Sequence, residues 1–287
     1  MAGLDQLATE QASPGTADLD LLPLDAALLR LNDEDQEVPR AVRAEIPQIA
    51  RAVELAVLAL RTGGRLIYVG AGTSGRLGCL DAAEIPPTYG LEPGRVLGIL
   101  AGGDRALRNS VEGAEDDLKG GEAALLAAGL TVRDVVCGIA ASGRTPFVLG
   151  ALALARRTGC PTVGLTTNRP SEMEGRVDVL IAPQVGPEPV SGSTRMKSGT
   201  AQKLVLNMLS TMSMVRLGKT YGNLMVDVRA TNEKLVRRAH RLIHAVTGAA
   251  EPECARLFQE SNGDTKVAIL MGLAGLDLDS ARERLEA

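Results

Sequence analysis

Short apolar runs alternate with longer segments of helical spacing through the middle of the chain. The runs are rich in β-branched and aliphatic side chains and cover Leu66–Val69, Val96–Leu100, Val135–Ala140, Thr162–Thr166 and Val177–Ala182. The segments of helical spacing between them include Arg76–Ile85, Arg105–Ala128 and Thr145–Thr158. Continuous apolar strands that alternate with helices are typical of a parallel sheet covered by helices on both faces. The pattern therefore predicts an α/β fold with a doubly wound, five-stranded parallel sheet.

The segment before the first strand is predicted to contain an arm followed by helices. Residues 1–24 are rich in Pro, Gly, Ala and Asp, and we expect them to lie extended over a surface or a partner subunit. Leu22–Leu31 and Val38–Leu60 have apolar residues at helical spacing, and Gly63-Gly64 is the expected stop signal of the second helix. We interpret residues 1–45 as an N-terminal arm and helix.

The segment after the last strand is predicted to be helical. A loop over residues 183–197, rich in Pro, Gly, Ser and Thr, leads into a predicted helix near Ser198–Leu217. From about Asp227 onward only helices are predicted, and Asp279-Ser280 is the expected cap of the last one. The predicted organisation is an α/β domain over residues 46–220 and a small all-helical domain over residues 221–287.

Composition and charge narrow the classes of function. The chain has 287 residues, 45% of them hydrophobic, with no Trp and few Tyr and Phe, so the core must be packed with aliphatic side chains. The net charge of −4 and the pI of about 5.4 give no broad field that attracts nucleic acid or an anionic membrane. An anionic substrate would have to be bound by local donors.

The cysteines and the N-terminal residues favour a cytoplasmic location. The four cysteines, Cys79, Cys137, Cys160 and Cys254, form no CxxC pair and show no metal-ligand spacing. Buried structural thiols in a reducing compartment are the expected state. Residues 1–20 lack the apolar run of a signal peptide, and no stretch approaches the roughly 18 apolar residues of a membrane span.

The first predicted strand ends in a glycine-rich turn, Gly70-Ala71-Gly72-Thr73-Ser74-Gly75, that is followed by a helix. The turn matches GxGxxG, so a dinucleotide site is one interpretation, but the acidic residue expected after the second strand is missing. A phosphate site is the second interpretation, in which glycine frees backbone N–H groups such as that of Gly72 while Thr73 and Ser74 donate hydroxyls. A tight turn without a ligand is the third.

A second turn of similar composition favours the phosphate site. The third strand ends in Ala141-Ser142-Gly143-Arg144-Thr145-Pro146, with the proline in the first helical turn. Ligands of open parallel sheets bind at the carboxyl ends of the strands. Two such turns there indicate one small, hydroxyl-lined phosphate site in preference to an extended dinucleotide groove.

The loop Gly186–Lys197 adds the hydroxyls of Ser193 and Thr194 and the cations Arg195 and Lys197, again ahead of a helix. It could contribute to the same anion site. An ordinary capped loop is the alternative, because surface Arg and Lys are common.

Two acidic groups and one histidine pair are candidates for chemistry. Glu84 precedes Pro86-Pro87, which are expected to end its helix, and the negative end of the helix dipole favours a protonated carboxyl if solvation is poor. Such a group would suit a general acid, although a solvated glutamate is the commoner case. The acidic residues of the next predicted helix and the pair His240 and His244 are most simply interpreted as ordinary helix faces; the acidic residues are Glu112, Glu115, Asp116 and Asp117.

Several stretches together resemble the bacterial N-acetylmuramic acid 6-phosphate etherases, which are built on the sugar isomerase (SIS) fold. The shared stretches are Gly70–Gly90, Ala101–Asp117, Gly138–Phe147, Gly186–Lys203 and Tyr221–Leu235. The segment from Gly186-Pro187-Glu188 to Ser193-Thr194-Arg195-Met196-Lys197 is particular to that family and its relatives. The chain departs from the family near its N-terminus, where Thr-Glu-x-Arg-Asn is usual and Thr9-Glu10-Gln11-Ala12-Ser13 stands here.

The resemblance implies a lyase that cleaves the D-lactyl ether of N-acetylmuramic acid 6-phosphate by elimination of lactate and addition of water. It implies Glu84 as the acid that protonates the leaving lactate and Glu115 as the base at carbon 2. It also implies a homodimer that uses no cofactor and no metal. The expected substrate- and phosphate-binding residues are Gly72, Thr73, Ser74, Ser142, Thr145, Ser193 and Thr194.

Three other functions are possible on such a fold. A non-catalytic sugar-phosphate sensor is the main alternative, but the presence of both Glu84 and Glu115 favours the enzyme. A sugar-phosphate isomerase would leave the ether intact. A DNA-binding regulator is disfavoured because no basic helix-turn-helix precedes the α/β region.

Overall fold

The computed structural model describes residues 7–227 and 233–286. The strands are β1 (Leu66–Gly70), β2 (Val96–Leu100), β3 (Val135–Ile139), β4 (Thr162–Leu165), β5 (Val179–Ile181), β6 (Thr220–Tyr221) and β7 (Leu224–Met225). The helices are α1 (Leu24–Asp35), α2 (Glu37–Ala44), α3 (Ile46–Arg61), α4 (Gly72–Tyr89), α5 (Arg105–Arg108), α6 (Leu118–Ala127), α7 (Pro146–Thr158), α8 (Lys197–Arg216), α9 (Glu233–Thr247), α10 (Glu251–Glu260), α11 (Thr265–Ala274) and α12 (Leu278–Glu286).

The central sheet has the strand order β2-β1-β3-β4-β5, and all its pairs are parallel. Gly70 at the end of β1 lies opposite both Leu100 and Ile139, so three neighbouring strands end at the same level. Every residue of β1, β3 and β4 is buried, as expected for strands covered on both faces. The predicted five-stranded parallel sheet is confirmed.

An ion pair links the amino ends of β1 and β3. Arg65 precedes β1 and Asp134 precedes β3, and their side chains meet at 2.7 Å with Asp134 almost fully buried. Burial alone would raise the pKa of Asp134, but hydrogen bonds from Arg65 and Thr131 and the charge of Arg65 outweigh it, so the pKa lies below its ordinary value. This pair holds the amino ends of the strands together, away from the candidate site.

The cysteines behave as predicted in the part of the chain that the structure describes. Cys137, Cys160 and Cys254 are buried free thiols, and Cys79 is a half-buried free thiol. Burial raises the pKa of Cys137 to about 12 and that of Cys160 to about 11, so neither forms a reactive thiolate near neutral pH. Among the described residues, no helix has both the length and the apolarity to cross a membrane.

The chain divides into two compact units. One comprises Met1–Ala83 and Gly94–Ser213 and contains the sheet; the other comprises Glu84–Pro93 and Met214–Ala287. The second unit has its own apolar core, which includes Ile243, Leu257 and Val267, and it contains the antiparallel pair of β6 and β7. The domain boundaries after residues 45 and 220 stay predictions.

Two predicted helices are each interrupted in the structure. Residues 38–60 form two helices because the chain turns at Glu45, and Pro47 lies in the first turn of α3. The predicted helix Arg105–Ala128 is interrupted after Arg108 by extended backbone, and α6 starts anew where the Asp117 side chain accepts a hydrogen bond from the N–H of Gly120.

The end of α4 and the cap of α12 also differ from the prediction. The helix that contains Glu84 does not stop before Pro86-Pro87 but includes both prolines and ends at Tyr89. Its last turn closes through the N–H of Gly90, which bonds to the Pro86 carbonyl at 3.0 Å, and the left-handed Gly90 (φ +64°) terminates it. At α12 the capping carboxylate is Asp277, which accepts from the N–H of Ser280 at 2.8 Å, and not Asp279-Ser280 as predicted.

Candidate active site

The carboxyl ends of β1, β3 and β4 meet at one edge of the sheet, and the predicted phosphate-binding turns follow the first two of these strands. Thr167, just after β4, donates its hydroxyl to Ser198 at 2.9 Å, which attaches the start of α8 to the same edge. Both predicted turns and the start of α8 therefore lie in the region where open parallel sheets bind ligands.

The turn between β1 and α4 is tight because glycines face each other across it. A Cβ on Gly75 would lie 2.6 Å from the Gly70 carbonyl oxygen, so the helix begins directly beyond the strand only if residue 75 is glycine. Gly72 has φ +52° and no atom near its missing Cβ. The first N–H groups of this long helix have no partner within the helix, and they concentrate partial positive charge at the turn.

Ser74 and Thr73 lie in the first turn of α4. Ser74 is buried, and its hydroxyl donates to the Oε1 atom of Gln202 on α8 at 2.9 Å. A Cβ on Gly199 would lie 3.5 Å from the Thr73 methyl group and 3.7 Å from the Thr194 carbonyl oxygen. The predicted residues Thr73 and Thr194, 121 positions apart in the chain, therefore flank the same glycine.

In the turn between β3 and α7, two hydroxyl groups and the start of one helix remain able to donate hydrogen bonds. Ser142 accepts a hydrogen bond from the N–H of Arg144 at 3.3 Å, a bond that does not use the proton of its own hydroxyl. Thr145 occupies the N-cap position of α7, but its side chain makes no capping bond, and Pro146 follows at the first helical position. The start of α7 can therefore donate both N–H groups and hydroxyls to an anion.

Arg144 is a residue of this turn that the sequence reasoning did not select. Its side chain is partly buried, and within the described chain its Nε atom is enclosed without a hydrogen-bond partner. An enclosed guanidinium N–H normally has an acceptor. Arg144 is therefore a further group that an anion at this turn could satisfy. Its position between Gly143 and Thr145 at a strand end was the available signal.

The loop before α8 contains a glutamate that accepts hydrogen bonds from the start of that helix. Glu188 is fully buried and accepts hydrogen bonds from the N–H groups of Lys197 and Ser198 at 2.8 and 2.9 Å. Lys197 in turn pairs with Glu34 of α1 at 2.7 Å. The charge of Lys197 is thus compensated by Glu34, and the N–H groups at the start of α8 already have the Glu188 carboxylate as their acceptor. Of the starts of α4, α7 and α8, those of α4 and α7 remain open to a phosphate.

The N-terminal arm lies against these loops within the same unit. Asn168, which follows β4, donates from Nδ2 to the Thr9 hydroxyl at 3.0 Å, and Thr16 donates to the Pro189 carbonyl at 2.8 Å. Residues 7–22 thus contact a surface of their own chain, one of the two arrangements predicted, but they include two short 3-10 helices and are not extended as expected. Residues 1–6 of the predicted arm lie outside the described residues. Ser193 and Thr194 sit half-buried in the loop beside the arm.

The two predicted catalytic glutamates are both exposed. Glu115 lies in a short 3-10 turn, Ala114–Asp116, and not on a long helix as predicted. A cavity of 480 Å³ adjoins that turn, with Ala114, Asp117 and Phe147 among its lining residues. Glu84 lies inside α4 and is exposed, so it has neither the helix-end position nor the poor solvation that the sequence argument assumed. The structure by itself does not single out either residue.

His240 and His244 each contact a neighbouring group in the second unit. His244 Nδ1 lies 2.8 Å from the Ala249 carbonyl, and His240 packs edge-on against Phe258. A cavity of 830 Å³ in the second unit is lined by charged side chains of α9 and α10 and by both histidines. Within the described ranges, no group of three acidic, Cys or His side chains could hold a metal ion.

Comparisons with known proteins identify relatives along the whole chain. The family described as "Glucokinase regulatory protein N-terminal SIS domain" matches residues 48–156. N-acetylmuramic acid 6-phosphate etherases from Caldanaerobacter subterraneus and Brucella anthropi are both 53% identical, over 99% and 100% of this chain and 92% and 93% of theirs. The etherase of Serratia proteamaculans is 54% identical over 99% of this chain and 95% of its own.

Solved structures support the fold alone. A candidate sugar-phosphate isomerase from Listeria monocytogenes aligns with a TM-score of 0.50 at 17% identity, over 69% of this chain and 94% of its own. A candidate phosphosugar isomerase from Bacteroides fragilis aligns with a TM-score of 0.50 at 21% identity, over 64% of this chain and 88% of its own. The sheet order and these neighbours agree on the SIS fold. With more than half of its residues identical to curated etherases along its full length, the chain belongs to the N-acetylmuramic acid 6-phosphate etherase family.

Proposed function

We propose that this protein is a lyase that converts N-acetylmuramic acid 6-phosphate into N-acetylglucosamine 6-phosphate and D-lactate. The observation that carries the proposal is the identity of about half of all residues with curated etherases over 99–100% of the chain. The open starts of α4 and α7, lined by hydroxyls, support the phosphate-binding part of it.

The phosphate of the substrate binds at the turns after β1 and β3. The N–H groups of the first turns of α4 and α7 and the hydroxyls of Ser74, Ser142 and Thr145 are the donors. Gly72 and Thr73 belong to the same turn as Ser74. We assign Ser193 and Thr194, in the loop before α8, to the same site, because Thr194 and Thr73 flank the same Gly199. Several charge-assisted hydrogen bonds from fixed donors would compensate for the absence of a broad positive field around the protein.

The reaction is an elimination followed by an addition. In the open-chain form, carbon 2 lies beside the aldehyde, which makes its proton removable. A base takes that proton, the electron pair forms the carbon 2–carbon 3 double bond, and the bond from carbon 3 to the lactyl oxygen breaks. An acid protonates the departing oxygen, and water then adds across the double bond. By family resemblance, Glu115 is the base and Glu84 is the acid.

The proposal is tested by the release of D-lactate from the phosphorylated substrate, with Gln variants of both glutamates in deuterated water. Glu84→Gln should lose most lactate release yet still exchange deuterium into carbon 2, whereas Glu115→Gln should lose both activities. Each loss should reach about 10²–10⁴-fold, as expected for a general acid or base. Glu112→Gln, in the same exposed acidic segment, is the matched control and should stay active.

Each alternative outcome has a definite meaning. If Glu115→Gln still exchanges deuterium while Glu84→Gln does not, the two roles are reversed. Losses below about tenfold in both variants would remove the pair from catalysis. A wild-type protein that binds the phosphosugar but releases no lactate would be a sensor, and one that interconverts aldose and ketose without release would be an isomerase.

The proposal extends to assembly and location. The protein acts as a cytoplasmic homodimer without a cofactor or metal, and it binds neither nucleic acid nor membrane. The family resemblance and the net charge of −4 support these points.

A further inference from the structure

Gln202 is hydrogen-bonded to Ser74, one of the proposed phosphate-binding residues, but only one of its two polar side-chain atoms has a partner among the described residues. It lies on α8 with no exposed surface, and its Oε1 atom accepts the hydroxyl proton of Ser74 at 2.9 Å. Its Nε2 atom is also buried and, within the described residues, has no hydrogen-bond partner. A buried amide N–H₂ without an acceptor is rare and costs free energy. The same contact uses the hydroxyl proton of Ser74, which is then not available to an anion at the turn.

The partner of Nε2 and the use of the Ser74 proton both change if the Gln202 carboxamide rotates by 180°. Rotation about the last side-chain bond exchanges Nε2 and Oε1, which have nearly the same shape. Nε2 then stands at hydrogen-bond distance from Ser74 Oγ and donates to it. The hydroxyl proton of Ser74 is released and can be donated to an anion. The atom left without a partner is now a carbonyl oxygen, which is tolerated better than an orphaned N–H₂.

We propose that Gln202 is a positioning residue for the phosphate group, acting through Ser74. With the site empty, Ser74 donates to Gln202; with a phosphate monoester bound, Gln202 donates to Ser74 and Ser74 donates to the phosphate. The bond to the phosphate is charge-assisted and stronger than the neutral bond it replaces, which drives the exchange. This inference rests on the phosphate site proposed above and adds a residue that touches no ligand atom.

The test measures binding of N-acetylglucosamine 6-phosphate, the proposed product, by calorimetry, so that it does not depend on turnover. Gln202→Met keeps the side-chain volume and removes both polar atoms. It should weaken binding about tenfold, because the Ser74 hydroxyl then lacks the donor that holds it toward the phosphate. Ser74→Ala should have a similar effect, and the double variant should bind no more weakly than Ser74→Ala alone. Ser213→Ala, a buried polar position elsewhere on α8, is the matched control and should bind as wild type.

A second variant gives a readout that a merely structural role would not produce. Gln202→Glu places a carboxylate that can only accept the Ser74 proton, so at about pH 8 binding relative to wild type should be weaker than in Gln202→Met. Relative binding should recover toward about pH 5, where a protonated carboxyl can donate to Ser74.

Several results would overturn the inference. These are multiplicative losses in the double variant, unchanged binding in Gln202→Met, and a pH-independent loss in Gln202→Glu. If Gln202→Met does not fold, Gln202→Glu and its pH profile decide the matter. If wild type releases no lactate yet binds the phosphosugar through Ser74 and Gln202, the proposed reaction fails while this inference stands. If lactate is released and Gln202→Met binds normally, only the inference fails.

Discussion

The hydroxyl groups at the carboxyl ends of β1 and β3 have different surroundings. Ser74 is buried and its proton is donated to Gln202, whereas Ser142 is partly exposed and accepts from a backbone N–H. Ser142 can therefore donate to a phosphate without any rearrangement, while Ser74 must first exchange its partner. Arg144 adds an enclosed N–H without a described acceptor to the same turn as Ser142.

At this scale we predict that Ser74→Ala and Ser142→Ala each weaken substrate binding by about 1–3 kcal/mol, the usual range for a lost hydrogen bond to a charged group. Steady-state kinetics should show the loss mainly in KM. Ser191→Ala is the control, since that exposed hydroxyl bonds to the Glu10 carbonyl of the arm. Unchanged KM in both site variants, with intact thermal unfolding, would remove the phosphate role.

At the scale of elements, the starts of three helices face the same edge of the sheet, but their capping differs. The start of α8 is closed by the buried carboxylate of Glu188, while α7 has no side-chain cap bond and α4 begins at an open glycine turn. A second anion at α8 would be repelled by Glu188. From the distribution of caps we expect an anionic ligand at α4 and α7, with α8 contributing through Gln202 and Gly199.

We predict that Glu188→Ala lowers the free energy of unfolding by about 3 kcal/mol, because two buried N–H groups at a helix start lose a charged acceptor. Urea denaturation measures the change. The exposed Glu174, paired with Arg169 on the surface, provides the control variant Glu174→Ala, which should cost under about 1 kcal/mol. A loss as small as that control at position 188 would show that the N–H groups find other acceptors.

At the scale of the whole molecule, an apolar stripe on the first unit remains exposed. Leu24, Leu28 and Leu29 of α1 and Leu21 just before it are each more than half exposed, and Leu21 reaches 80%. Contiguous exposed leucines of this kind mark interaction surfaces in soluble proteins. The stripe is therefore the surface through which we expect the proposed homodimer to form.

We predict that Leu24→Asp combined with Leu28→Asp converts a dimer into a monomer, because two carboxylates would have to be buried at the interface. Light scattering and sedimentation give the mass. Leu126→Asp on α6, at a similarly exposed leucine, should leave the dimer intact. A wild-type protein that is monomeric and fully active would exclude the dimer, and an unaffected dimer in the double variant would exclude this surface.

The sequence by itself determined the elements whose signals are local. The five apolar runs predicted five parallel strands, because strands buried on both faces carry few polar residues, and the glycine and Pro146 positions located the two turns. The family resemblance supplied the reaction and Glu115, which no local signal had selected. Glu84 was already a candidate from its place before Pro86-Pro87, but the helix end on which that argument rested is not where it was predicted. The roles of both glutamates, like those of the phosphate-binding residues, stay predictions.

Only the tertiary structure decided what depends on residues distant in the chain. α4 continues through Pro86-Pro87 although local propensity predicts a break. Glu188 closes α8, Thr73 meets Thr194 across Gly199, and Ser74 meets Gln202 from 128 positions away. Such pairs leave no periodic trace, because they form only when the fold brings α8 beside these turns and loops. The physical reason is that a buried polar group must take its partner from whatever element the fold places beside it.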